Sequence, residues 1–151
     1  MQSVYTVDSP IGKFTVVEQD GLLTRLILPG QSAPTPCGQP QTDMASQLAQ
    51  YFSGGRKQFT VPMKLVGAPF FLSVWKAALS IPYGSTLTYA ALAAHAGRPS
   101  AVRACGQAMA RNPLPLAVPC HRVVYSHGNK QSYLGGEDMK KYLLALEAEN
   151  K

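Results

Sequence analysis

The chain has 151 residues, enough for one or two small domains with a real core, and its hydrophobic share of 46% is ordinary for a globular protein and argues against disorder. No apolar run approaches the roughly 18 residues of a membrane span, and the first residues lack the basic-then-apolar pattern of a secretory signal. The formal net charge is +6, and three widely spaced cysteines (Cys37, Cys105 and Cys120, with no CxxC pair) suit free thiols in a reducing cytoplasm better than a disulfide scaffold.

In chain order, residues 4–7, 14–17 and 22–28 are short apolar, β-branched runs. The turn clusters Ser9-Pro10-Ile11-Gly12 and Gln19-Asp20-Gly21 separate them, which predicts a meander of antiparallel hairpins. Residues 29–41, rich in Pro, Gly, Gln and Ser, read as a loop. Asp43 is placed to cap a short helix with Leu48, Tyr51 and Phe52 on one face, closed by Gly54-Gly55. Residues 63–67 read as a linker, giving an α+β domain over 1–66 and a mostly helical domain over 67–151.

In the second domain, Phe70, Val74, Ala77 and Ala78 recur at helical spacing over 69–79. A short helix follows over 88–96, then the turn Gly97-Arg98-Pro99. Ser100 is expected to cap a second helix that runs to about Arg111 and stops at Asn112-Pro113. Two short helices across a tight turn form a helix-turn-helix pattern, although an ordinary αα-hairpin has the same signature. Residues 114–118 read as a buried strand.

Charge separates the regions. Residues 1–85 carry six basic and four acidic side chains, and residues 135–151 carry three and four. Between them, residues 86–134 hold Arg98, Arg103, Arg111, Arg122 and Lys130 with no Asp or Glu. Such a stretch presents the positive field a polyanion seeks, though a merely basic surface would look alike. The second helix sets Arg103, Gln107 and Arg111 among Ala101, Ala104, Gly106, Ala108 and Ala110, small residues that allow close approach.

The chemistry is expected at Pro119-Cys120-His121-Arg122-Val123. A cysteine beside His and Arg lies in an electropositive setting that favours the nucleophilic thiolate; a buried structural cysteine is the alternative. The five residues resemble the active-site signature of the O6-alkylguanine-DNA alkyltransferases. Ile81-Pro82-Tyr83-Gly84 with Thr88-Tyr89 resembles the family segment opening the helix-turn-helix. Arg103-Ala104, Gly106, Ala108-Met109 and Asn112-Pro113 resemble its recognition helix and hinge. Tyr133, Gly135-Gly136, Lys141, Leu143-Leu144 and Glu147 resemble its closing loop and helix. The likeness runs without a gap over roughly 67–148, whereas the N-terminal part shares only the hairpin pattern.

The resemblance implies an N-terminal ribonuclease-H-like sheet domain and a winged-helix-like C-terminal domain. It implies irreversible, single-turnover transfer of the alkyl group, chiefly methyl, from flipped O6-alkylguanine in double-stranded DNA to Cys120. His121 would take the thiol proton through a water and Glu147 would orient the imidazole. Tyr89 would rotate the nucleotide and donate to the leaving guanine, and Arg103 would fill the vacated stack. Ser100, Ala104, Gln107 and Arg111 would complete the DNA contacts. Met109, Pro115, Tyr133 and Leu134 would line the pocket, the Val123 carbonyl would read the exocyclic amine, and Asn112 would act as hinge. No cofactor, metal or membrane partner is implied; the protein would act as a monomer, with O4-alkylthymine as a further lesion and cooperativity on DNA left open.

This sequence departs from the family pattern at Gln131 and Ser132, where a small residue is usual, which puts bulky adducts in doubt. Phe71 stands where a polar residue is usual, and Cys105 where a small aliphatic is common. Cys105 reads as core, Cys37 as inert, and His95 and His127 as surface residues. Three rival readings differ in what they need. Alkyltransferase-like proteins without the chemistry typically carry Trp in place of Cys120, a transcription regulator needs no Cys120–His121–Glu147 set, and a cysteine hydrolase needs an oxyanion hole.

Overall fold

The computed structural model describes residues 1–126 and 132–151. The chain divides into two compact units, Met1–Leu65 and Val66–Lys151.

In the first unit β1 (Gln2–Ser9), β2 (Gly12–Gln19) and β3 (Leu22–Ile27) form an antiparallel meander in the order β1-β2-β3. Asp20 and Gly21 both have positive φ, 53° and 79°, the geometry of a two-residue turn whose twist matches its flanking strands. The central strand β2 is buried from Phe14 through Glu18. Helix α1 (Met44–Phe52) buries Met44, Gln47, Leu48, Tyr51 and Phe52. Asp43 is its N-cap but makes no side-chain cap bond. Thr42 Oγ1 instead accepts from Met44 N at 3.2 Å, and the buried Glu18 carboxylate accepts the N–H groups of Gln41 (2.7 Å) and Thr42 (3.1 Å). Residues 62–64 pair with β3 through Leu23, so Met63 belongs to this unit's structure and not to a free linker.

In the second unit α2 (Pro69–Leu79) begins with Pro at its first turn, where a missing N–H costs nothing, and buries Val74, Trp75 and Ala78. β4 (Leu87–Thr88) leads directly into α3 (Tyr89–His95), whose cap is the Thr88 hydroxyl accepting from Ala91 N. α4 (Val102–Ala110) packs Cys105, Ala108 and Met109 inward, and α3 and α4 are the two helices of the helix-turn-helix pattern. Its N-cap is Ala101, without a side-chain bond; the expected cap Ser100 lies exposed one residue earlier, because Ala101 N already bonds the Arg98 carbonyl and closes the turn there.

Residues 114–118 are buried but do not form the expected strand. Leu116 has φ 74°, and Val118 N bonds back to the Leu114 carbonyl, so the segment is a tight turn. Prolines at 113, 115 and 119 remove the donors a strand would need. A 3₁₀ turn (Cys120–Arg122) then runs into β5 (Val123–Val124), which pairs parallel with β4. That pairing sets the start of α3 beside Cys120. The chain closes with α5 (Glu137–Glu149), whose buried positions are Lys140, Leu143 and Glu147. Among the described residues no helix is long and apolar enough to cross a membrane.

Candidate active site

Cys120 is presented by the backbone that precedes it. Pro119 has φ −79° and ψ 66°, and Cys120 N bonds the Val118 carbonyl at 2.7 Å, which is an inverse γ-turn. Asn112 holds the same loop from the other side, donating to the Val118 carbonyl at 2.9 Å and accepting from Leu114 N at 2.9 Å. Asn112 follows the C-cap residue of α4, so these two bonds join the end of that helix to the turn before Cys120.

Behind Cys120 stands a buried ionic cluster. Glu147 accepts from His121 Nε2 at 2.6 Å, from Arg122 Nε at 2.8 Å and Nη2 at 3.0 Å, and from Gly84 N at 3.1 Å. The third guanidinium nitrogen donates to the Ile81 carbonyl at 2.8 Å, and the guanidinium sits over the Tyr83 ring. Gly84 has φ 77°, a conformation that L side chains rarely adopt, and it turns its N–H onto the carboxylate. Arg122, counted among the surface charges in the sequence, is thus a buried partner of Glu147; among the described residues the field of 86–134 rests on Arg98, Arg103 and Arg111.

This wiring settles the imidazole's tautomer. A carboxylate accepts only, so the ring proton lies on Nε2 and Nδ1 carries the lone pair. Nδ1 is buried with no hydrogen-bond partner among the described residues. Burial holds the His121 pKa below its ordinary value, Arg122 and Lys140 push the same way, and Glu147 opposes them. His121 is therefore held neutral, with the Nδ1 lone pair unused among the described residues. Cys120 is not the thiolate that the electropositive setting suggested. Burial pushes its thiol up to about 11, outweighing the opposing influence of Asn112, Lys140 and Tyr133.

A pocket of about 150 Å³ opens on Cys120, lined by Tyr89, Gly106, Met109, Ala110, Ser132, Tyr133 and Leu134. Pro115 is not in this lining, because it bridges Val118 within the turn, and the Val123 carbonyl already accepts the Lys140 ammonium at 2.6 Å. Arg103, Gln107, Arg111 and Ser100 are exposed and Ala104 half-buried. Phe71 lies under the Arg111 guanidinium and Phe70 under that of Arg98, so the unusual aromatic at 71 stacks on a cation. Cys105 is fully buried, and Cys37 and His95 are exposed. His127, Lys130 and Gln131 lie outside the described residues. Among the described residues no group of His, Cys, Asp and Glu is placed to hold a metal.

Besides Arg122, counted as surface charge, the sequence reading missed Lys140. Lys140 is 1% exposed, bonds the carbonyls of Val123 and Ser132, and has its pKa lowered to about 8 by burial. The motif match fell on its neighbour Lys141, which is exposed. The signal was available: Lys140, Leu143 and Glu147 recur at spacings of three and four, a single helical face.

The model of the 6-O-methylguanine DNA methyltransferase DNA binding domain matches residues 69–149, and that of its ribonuclease-like domain matches residues 3–65. The chain belongs to the O6-methylguanine DNA methyltransferase family. It is 41% identical over 148 residues to a methylated-DNA–protein-cysteine methyltransferase of Mycolicibacterium paratuberculosis, covering 94% of this chain and 90% of that one. The crystal structure of the Mycobacterium tuberculosis O6-methylguanine methyltransferase superposes with a TM-score of 0.91 at 38% identity, over 100% of this chain and 95% of that one. The Mycobacterium tuberculosis protein in complex with DNA gives 0.90 at 40% identity, over 96% and 92%. As a methyltransferase of this family, the protein moves a methyl group from methylated DNA to a protein cysteine in DNA repair. The family's α+β architecture, a three-stranded antiparallel domain followed by a helical DNA-binding domain, is the one described above.

Proposed function

We propose that Cys120 is the methyl acceptor, that it acts once per molecule, and that the substrate is O6-alkylguanine flipped from duplex DNA. The observation that carries the reading is the buried His121 Nδ1, unpartnered among the described residues beside a protonated Cys120 at the floor of the pocket. As the thiol attacks, its proton passes through one water to Nδ1, and the carbon–sulfur bond forms while the carbon–O6 bond breaks. The electron pair goes to the guanine. Glu147, anchored by Arg122 and Gly84 N, keeps the imidazole in the receiving tautomer and stabilises the imidazolium that forms. Tyr89 remains a donor at neutral pH, its hydroxyl pushed up to about 12 chiefly by burial, and gives a hydrogen bond to the leaving base. The Val123 carbonyl keeps a second lone pair for the exocyclic amine.

DNA binding falls to the exposed face of α4, with Arg103 as the wedge that fills the stack and Gln107 and Arg111 beside it. Phosphate contacts dominate, so affinity falls with salt. The partner is double-stranded DNA carrying alkylated guanine, met by a single protein chain. Three free cysteines, two of them buried, suit a reducing cytoplasm.

Intact mass and peptide mapping after incubation with O6-methylguanine DNA test the reading. One methyl group should appear on the Cys120 peptide, Cys120→Ala should bind DNA but transfer nothing, and excess DNA should yield no turnover. Methylation at another residue, or continued turnover, overturns it. Arg103→Ala should slow repair of duplex DNA far more than reaction with the free base, because only the duplex requires the few kcal/mol of base extrusion. Equal losses on both would assign Arg103 to structural support.

A further inference from the structure

Tyr125 follows β5, is 47% exposed, and is not part of the pocket lining. It nevertheless touches both sides of the pocket. Its ring packs against that of Tyr89 with centroids 4.9 Å apart and planes at 37°, and its hydroxyl pairs with that of Ser132 at 2.9 Å. The Ser132 carbonyl is in turn held by the buried Lys140 ammonium at 3.0 Å. Tyr89 and Ser132 belong to different segments, the start of α3 and the approach to α5, and Tyr125 is the side chain that couples them. Lys140 makes the same link from beneath, between the Val123 and Ser132 carbonyls.

The space between those walls is small. A cavity of about 150 Å³ is of the size that holds one benzene ring. That space admits part of a flipped purine and its methyl group, and an additional aromatic ring on O6 requires the Tyr89 wall and the Ser132 wall to separate. We propose that Tyr125 is a specificity-determining positioning residue, a brace that fixes the gap between Tyr89 and Ser132 and so limits the size of the alkyl group transferred. The inference rests on Cys120 being the acceptor. It needs the ring more than the hydroxyl: an aromatic pair is worth more than its buried area, and Ser132 keeps a second anchor through its carbonyl.

The test compares the parent with Tyr125→Ala and Tyr125→Phe in single-turnover reactions with two free bases, O6-methylguanine and O6-benzylguanine, read by intact mass. Comparing the two rates within each protein cancels the intrinsic reactivity of the benzyl carbon. Tyr125→Ala should raise the benzyl-to-methyl rate ratio about tenfold over the parent, and Tyr125→Phe, which keeps the ring, should stay within about twofold of the parent. A ratio unchanged in Tyr125→Ala overturns the brace, as does an equal rise in Tyr125→Phe. A parent that methylates no cysteine on duplex DNA overturns the assignment of Cys120 instead, so the two failures are told apart.

Discussion

Glu18 in the first unit and Glu147 in the second are both completely buried carboxylates on regular elements, and their partners are opposite in kind. Glu18 is held by neutral donors, the Tyr5 hydroxyl at 2.9 Å, the N–H groups of Gln41 and Thr42, and the Thr42 hydroxyl. Every donor comes from β1 or from the loop before α1, so the charge is spent fastening chain to sheet. Glu147 is held by a guanidinium and an imidazole, and the imidazole's far nitrogen remains unpartnered among the described residues. Burial of an acid is thus no sign of chemistry by itself; what distinguishes the second site is a partner with a further proton position to offer.

That contrast is broken most directly by neutralising each acid. Glu147→Gln leaves Arg122 without its counter-charge and replaces one of the two carboxylate oxygens that hold His121, Arg122 and Gly84 N with a donor. It should cut methyl transfer at least about 100-fold and cost about 3–5 kcal/mol in denaturant unfolding. Glu18→Gln should cost about 1–3 kcal/mol and leave the single-turnover rate per folded molecule unchanged. A comparable rate loss in both variants would end the distinction.

The thiols sharpen it from another side. Relative to an ordinary thiol, a pKa of about 11 leaves Cys120 about 100-fold less thiolate at neutral pH, so iodoacetamide should label the exposed Cys37 first, as peptide mass spectrometry would show. Preferential labelling of Cys120 would mean that the thiolate exists before DNA binds. The acid limb of the methyl-transfer rate should lie below pH 6.5 and fall up to about tenfold per pH unit, because His121 titrates below its ordinary value. Stability follows the same sign: the unfolded imidazole takes up its proton first, so stability is full above pH 6.5 and is lost as pH falls through the folded pKa. The smallest effect is expected at Tyr5→Phe, about 1 kcal/mol of stability with repair unchanged.

Local rules made the hairpins, α2 and the helix-turn-helix readable, since alternation, an Asp-Gly turn and Pro-bounded apolar spacing act within a few residues. Cys120 and His121 stand out as candidates because the motif around them is dense, and Glu147 enters only through the family resemblance. Three readings failed, one through local turn chemistry and two through partners distant in sequence. Residues 114–118 have strand-like composition, but their prolines and the left-handed Leu116 are governed by Asn112 and by the turn that aims Cys120. Arg122 counted as surface charge because its partner is 25 residues away on α5. Lys140 was passed over because lysine is expected in solvent, even on a face it shares with Leu143 and Glu147. Long-range pairing of charges is what composition cannot display.

The chain's single tryptophan adds a practical consequence. Trp75 on α2 is 2% exposed, and its indole N–H donates to the Ala108 carbonyl on α4 at 2.8 Å, one residue before the pocket-lining Met109. A lone indole fastened to the helix proposed to enter DNA makes the molecule its own optical probe. Its emission should shift to the red when α4 leaves α2 and water reaches the ring, so the packing of those two helices can be followed in real time without a label.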